Sequence, residues 1–365
     1  MVEKLKLITN QFCIEGIIEN ISTLNSGHIN STYLVTTNTN TNFVLQKLNS
    51  YVFKDVVGLI ENKIKISELI NKRLKVIDLN ITSAQFVKSE RGDFYVKDKE
   101  QNYWNLQNYI PDAITFDKAP NKDVVFEAGK LYGSFLVLTA NASNLDIKET
   151  LKDFHSVPLR LNQFNEALLN ASEERKKEAQ NEIDFVVEHQ SEMCKLATLK
   201  NESAFPIRVT HNDTKLSNAL FDKNNKGLAI IDLDTVMPGI VHFDFGDSIR
   251  SICSNAEEDN DNFDTIAIQL DYYKAYCKGY AIYTQKLLTK TEIKYLPLGI
   301  KTIIYIMGLR FLTDFLNNDK YYKTAYKNHN LVRTKNQFAL VKSVIKNYNK
   351  IITITNAAFD LKDIS

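Results

Sequence analysis

Val209-Thr210-His211-Asn212-Asp213-Thr214-Lys215-Leu216-Ser217-Asn218 is the stretch on which the reading of this 365-residue chain turns. It spells H-x-D-x-x-x-x-N through His211, Asp213 and Asn218. Short apolar runs surround it, Ile207 to Thr210 before and Ala219 to Asp222 and Leu228 to Leu233 after, each of strand length. Asp232 follows Asn218 by fourteen residues, within Ile230-Ile231-Asp232-Leu233-Asp234, a strand that ends in acids. A second H-x-D, His242-Phe243-Asp244, has Ile249 where the asparagine would fall. Asn is abundant in the chain, so the ordered spacing carries more weight than any one residue.

Upstream, the chain reads as strands. Gly16 to Asn25, Thr32 to Thr37 and Asn42 to Lys47 are apolar or β-branched, and an Asn/Thr run before Asn42 suits a hairpin turn. Phe86 to Lys97 and Gln101 to Tyr109 read as two more, with a turn at Arg91-Gly92-Asp93. Between them Val56 to Leu74 has helical spacing, with Leu59, Ile60, Ile64, Ile66, Leu69 and Ile70 apolar. Downstream, Lys122 to Thr139, Asn162 to Leu199, Phe263 to Tyr280, Thr289 to Asn317 and Lys335 to Ile352 favour helix, and Pro297 should divide or kink the fourth. The class is therefore α+β: a β-rich lobe over 1–107, a hinge over 108–112 and a helical lobe over 113–365. A ligand cleft is expected between the lobes.

Composition narrows the function classes. The 45 basic and 44 acidic residues nearly cancel, which gives no support to a nucleic-acid partner, since that needs a basic footprint. Cys13, Cys194, Cys253 and Cys277 are far apart and form no C-x-x-C pair, so reduced thiols are expected rather than a disulfide frame or zinc site. Charges at Glu3, Lys4, Lys6 and Glu15 argue against a signal peptide. No stretch reads as a membrane span of about 20 apolar residues. A reducing compartment follows, with the cytoplasm expected and a monomer as the default.

The central motif has the spacing of a kinase catalytic loop, with the acidic strand end placed as kinases place it. Phosphoryl transfer asks little of side chains: a carboxylate to orient the attacking hydroxyl, and oxygen ligands to hold Mg²⁺ against the triphosphate. Asp213 suits the first role, and Asn218 and Asp232 suit the second, because Mg²⁺ prefers hard oxygen donors. His211 should brace the loop through its backbone. The loop Leu24 to Asn30 carries Ser26 and Gly27, where backbone N–H groups could approach phosphate oxygens. On the third strand Gln46 stands where a phosphate-pairing lysine is expected. Lys47 is one residue off, and a one-residue offset turns a strand side chain to the opposite face. Glu61 in the following helix is either the ion-pair partner of such a lysine or an exposed acid.

With these residues assembled, the chain resembles the aminoglycoside phosphotransferase and choline kinase-like superfamily, and within it the N-acetylhexosamine 1-kinases. The resemblance runs through Gly27 to Asn30, Phe43 to Lys47, Val52 to Asp55, His211 to Asn218, Ile231-Asp232-Leu233-Asp234-Thr235-Val236-Met237-Pro238-Gly239 and Asp244-Phe245-Gly246-Asp247-Ser248-Ile249-Arg250. It continues in Gly308-Leu309-Arg310-Phe311-Leu312-Thr313-Asp314 and His329-Asn330-Leu331. It implies a bilobal protein-kinase-like fold: a small antiparallel N-terminal sheet with one helix, and a larger helical C-terminal lobe. It also implies ATP and Mg²⁺ as cofactors, and a sugar acceptor phosphorylated at the C1 hydroxyl of N-acetylglucosamine or N-acetylgalactosamine. Asp213 would be the base and Asp232 a metal ligand; His28, Arg310 and Tyr321, with Asp213, would contact the sugar; adenine would meet backbone near Asn108 to Ile110.

Arg310 lies on an apolar helical pattern, so it needs an oxygen partner, either a ligand or a structural ion pair with Asp247 or Asp314. Another acceptor remains open: a different sugar, choline, homoserine or an aminoglycoside. Cationic acceptors call for acids or an aromatic cage, whereas Arg310 and His28 suit a neutral polyol. A nucleotide-binding protein without catalysis is the remaining alternative, and the missing strand lysine is its only support.

Overall fold

The computed structural model describes residues 2–24, 29–39, 41–140, 142 and 145–361. In chain order the described elements begin with α1 (Val2–Thr9), β1 (Ile18–Leu24), β2 (Ser31–Thr37), β3 (Asn42–Lys47), α2 (Val56–Leu74), β4 (Val96–Lys97) and β5 (Tyr103–Asn108). Then come α3 (Lys122–Leu138), α4 (Val157–Asn170), α5 (Glu173–Glu178), α6 (Gln180–Met193), α7 (Lys195–Asn201), β6 (Arg208–Thr210), β7 (Ala219–Phe221), β8 (Gly227–Ile230) and β9 (Met237–Gly239). The chain continues through α8 (Val241–Ile252), α9 (Leu270–Thr284), α10 (Lys290–Leu316), α11 (His329–Lys346) and α12 (Tyr348–Ala358). The class is α+β, with an antiparallel sheet in the N-terminal region and a larger helical C-terminal region.

The chain folds as two units. The first holds 1–115, 138–152 and 218–238; the second holds 116–137, 153–217 and 239–365. In the first, five antiparallel strands run in the order β1-β2-β3-β5-β4. Phe43 and Leu45 project to one face and enter a core with Leu5, Ile8, Val35, Trp104 and Leu106. Gln46 belongs to the opposite face, since side chains alternate. Leu48, Phe53, Leu59, Ile60 and Ile64 form a second core around α2. Asp55 caps α2 by accepting the Gly58 N–H at 2.8 Å, and a Cβ at Gly58 would fall 2.2 Å from that carboxylate. A cap of this kind is worth about 1 kcal/mol. The returning segments dock on α2 through Asn62, whose side chain donates to Lys148 O and Val236 O and accepts Lys148 N–H.

In the second unit α8 packs on α10 so closely that a Cβ at Gly246 would lie 2.4 Å from Gly299 O. A capping box, Thr289 with Glu292, starts α10, and Glu292 also takes Arg208 of β6 in a two-pronged pair at 2.7 and 2.9 Å.

Several elements depart from the sequence expectations. Phe86 to Lys97 is not one strand: Phe86 makes a single bridge to Gln107 of β5, the chain bends at Ser89 to Gly92, where Gly92 has φ 91°, and Val96–Lys97 joins the sheet as β4. Asn162 to Leu199 is four helices, because Ser172 stops one and caps the next through Arg175 N–H. Phe263 to Tyr280 is helical as α9 only from Leu270. Pro297 lies inside α10 without ending it. That helix is also long and apolar enough to cross a membrane, contrary to the expectation that no stretch is, yet 83% of its most apolar window is buried inside the protein. All four cysteines are free thiols.

Candidate active site

The loop carrying Asp213 belongs to the second unit, and α8 braces it. Asp244 accepts the N–H groups of His211 and Asn212 at 2.7 and 2.8 Å, and Thr214 Oγ1 donates to Asp244 O at 2.7 Å. Asp247 accepts Thr214 N–H at 2.9 Å and is itself paired with Arg250, which also reaches Glu258. The second H-x-D therefore holds the first in place. Asn212 has φ 65°, a left-handed conformation that Asn tolerates. It sharpens the turn just before Asp213. The buried His211 ring lies edge-on to Tyr132 and Phe135. Asp213 is held beside Lys215 at 3.0 Å, with both side chains about one-third exposed, so the carboxylate is both positioned and accessible.

Burial pushes the Asp244 carboxyl up to about 6, against the backbone donors from His211 and Asn212 that pull it down. The folded chain then binds an extra proton between pH 4 and 6, so stability falls as pH rises through that window. Urea titrations of wild type and Asp244→Asn should show a difference that shifts by about 2 kcal/mol against the wild type between pH 4 and pH 7. A pH-independent difference would refute the shift.

In the first unit Asn218 and Asp232 come together at one end of the β7–β8 hairpin. Ala219 pairs with Ile230, and Ile231 N–H donates to Asn218 O at 2.9 Å, so the backbone brings Asn218 beside Ile231, one residue before Asp232. Asp232 itself is left-handed, at φ 62° and ψ 61°. Non-glycine residues held there concentrate at functional sites. An amide oxygen and a carboxylate are hard donors and suit Mg²⁺, which takes few protein ligands and keeps waters or phosphate oxygens. Among the described residues no group of three His, Cys, Asp or Glu forms an all-protein cage.

The helix residue that meets Gln46 is Lys63, which sequence reasoning passed over. Its Nζ donates to Gln46 Oε1 at 2.9 Å and pairs with Asp234, and it is almost wholly buried. Asn30 Nδ2 donates to the other Asp234 oxygen. The signal was available: Lys63 follows Leu59 by four and Ile60 by three, on the buried face of α2. Glu61 instead pairs with Lys148 at 2.8 Å on the surface. At the end of β5, Asn108 N–H is spent on Gln85 O and Tyr109 N–H on Asn42 O, while Ile110 N–H has no acceptor among the described residues. Ser26, Gly27 and His28 lie outside the described residues.

Arg310, half-buried in the second unit, makes no ion pair among the described residues. Both candidate acids are engaged elsewhere: Asp247 with Arg250 and Thr214, and Asp314 with the N–H groups of Tyr321 and Tyr322 and with Asn330. The guanidinium lies 5.6 Å from the rings of both Phe154 and Tyr322. Tyr321 is exposed, and its ring meets Tyr322 edge-on. Beside them the His155 ring lies tilted against Phe154 and Phe243. Burial first, then the Arg310 cation, pushes its pKa down to about 3, so the ring is neutral at neutral pH. Phe154 and His155 went unnoticed in the sequence because loop aromatics carry no periodicity.

The family model described as "APH: Phosphotransferase enzyme family" matches residues 20–283, and the chain belongs to that family. Among solved structures, a microcompartment-associated aminopropanol kinase is 14% identical at TM-score 0.65, covering 96% of this chain and 98% of its own. An amicoumacin kinase in complex with AMP-PNP, Ca²⁺ and Ami is 12% identical at TM-score 0.61, with 93% and 92% covered. A Plasmodium vivax ethanolamine kinase is 14% identical at TM-score 0.53, with 87% and 82% covered. At these identities the likeness speaks for the fold, which is the protein-kinase-like fold of this family.

Proposed function

We propose that this chain is an ATP-dependent small-molecule kinase that phosphorylates the C1 hydroxyl of an N-acetylhexosamine, N-acetylglucosamine or N-acetylgalactosamine. Family membership supports the phosphotransferase part. The observation that carries the acceptor is Arg310, a half-buried cation flanked by Phe154 and Tyr322 with no carboxylate to neutralise it among the described residues. Arg160 and Arg250 add to the positive field felt at His155. An amine-bearing alcohol would enter against the Arg310 cation, whereas sugar hydroxyls and an acetamide oxygen accept hydrogen bonds from guanidinium and present apolar ring faces to aromatics. That weighs against choline, ethanolamine and aminoglycoside acceptors.

In this reading Asp213 accepts a hydrogen bond from the acceptor hydroxyl, orients it in line, and takes its proton as the new bond forms. Lys215 keeps the carboxylate in place. Asn218 and Asp232 would hold Mg²⁺ with ATP, which supplies the phosphoryl group when bound. Ile110 N–H is the donor best suited to the adenine edge, with Asn108 on the strand before it.

ADP release on adding N-acetylglucosamine or N-acetylgalactosamine, compared with glucosamine, choline and homoserine, tests the acceptor. Release with the N-acetyl sugars alone is expected; release only with the amines would overturn the reading. Arg310→Ala should raise the sugar KM about 10- to 100-fold through loss of charge-assisted bonds and leave the ATP KM unchanged. The reverse pattern would remove Arg310 from the acceptor site.

A further inference from the structure

Strand β3 ends in Gln46-Lys47, and neither side chain can serve as the phosphate lysine of a kinase. Gln46 is uncharged, and Lys47 shares the face of Phe43 and Leu45, away from Gln46. We propose that Lys63 of α2 supplies the cation for the α- and β-phosphates of the nucleotide. Lysine and acid have then been redistributed: the lysine has moved from strand to helix, and its acid partner is Asp234. The proposal rests on the kinase reading above and names a positioning cation that the reading itself does not require.

Five observations converge within the first unit. Lys63 and Asp234 side chains are 3% and 5% exposed, and a buried lysine persists only where its charge is met. Its two hydrogen-bond partners are Gln46, at the strand position where the lysine would stand, and Asp234, two residues beyond Asp232, and the Phe86 ring lies 5.5 Å from the ammonium. Asp234 is held on its other oxygen by Asn30, so the ammonium has a fixed seat. An ammonium has three donors, and among the described residues the third finds no acceptor. Asn105, directly opposite Gln46 across the ladder and so on the same face, is 1% exposed with its Nδ2 also lacking an acceptor among the described residues. Two unspent donors beside a seated cation suit anionic oxygens. A cation serving only to neutralise Asp234 would leave the buried Asn105 Nδ2 without a reason to be polar.

The test is calorimetric binding of ATP, ADP and adenosine, with no acceptor present. Lys63→Gln should weaken ATP and ADP about 10- to 100-fold and leave adenosine unchanged. The transposed variant, Gln46→Lys with Lys63→Gln, should recover most of the loss. It also decides the matter if Lys63→Gln alone fails to fold. On wild type, an acyl-phosphate derivative of ATP, which acylates a lysine lying at the phosphates, should modify Lys63 and be suppressed by excess ATP. Nucleotide binding unchanged in folded Lys63→Gln, or modification that spares Lys63, overturns the proposal and leaves the kinase reading standing. Wild type that binds neither ATP nor ADP removes the kinase reading and this one with it.

Discussion

Asp213→Asn should lower kcat by about two to four orders of magnitude while leaving the ATP Kd near the wild-type value. The asparagine keeps the size and the hydrogen-bonding shape, but it no longer accepts a proton from the acceptor hydroxyl. The loop around it is anchored from below, with His211 and Asn212 donating to Asp244 and Thr214 to Asp247. The substitution therefore removes a charge without releasing the backbone. ATP binding should be spared because Asp213 acts on the acceptor. Unchanged turnover would take Asp213 out of the mechanism, and a large loss of ATP affinity would move it to the donor side.

Asp232→Ala should weaken ATP binding only when Mg²⁺ is present and lower kcat/KM by about 10³ or more, since a metal contributes several kcal/mol of charge stabilisation in phosphoryl transfer. Asp232 is left-handed at the hairpin end next to Asn218, a conformation that alanine accepts poorly. Melting temperature must accordingly be recorded beside affinity, with Asp232→Asn as the variant that keeps the backbone preference. An unaltered ATP affinity in the presence of Mg²⁺ would refute the metal role.

These two residues stand out in the sequence because the pattern around them is local. Asp213 and Asn218 are separated by a fixed offset, and the apolar runs around Asp232 mark strands that pair next to Asn218. The first three strands and α2 were legible for the same reason, down to the bounds of β3 and α2. What sequence reading missed is non-local. Lys63 drew no notice in α2, because its partners Gln46 and Asp234 lie 17 and 171 residues away. Asp244 was set aside because its own H-x-D lacks the asparagine, yet its place is under another loop. Around Arg310 the choice between ion pair and ligand contact depended on where Asp247 and Asp314 spend their oxygens, and those bonds run to backbone N–H groups that no pattern announces. The helical region was over-joined for a simpler reason: Ser172 interrupts charged, helix-favouring sequence, and a cap is a single-residue event.

The most direct measurement follows ATP, Mg²⁺ and N-acetylglucosamine or N-acetylgalactosamine with the wild-type chain by phosphorus NMR. Expected is ADP together with a phosphomonoester signal coupled to the anomeric proton of the sugar, absent with Asp213→Asn. ATP left intact with both sugars, while an amino alcohol or aminoglycoside is phosphorylated instead, would contradict it.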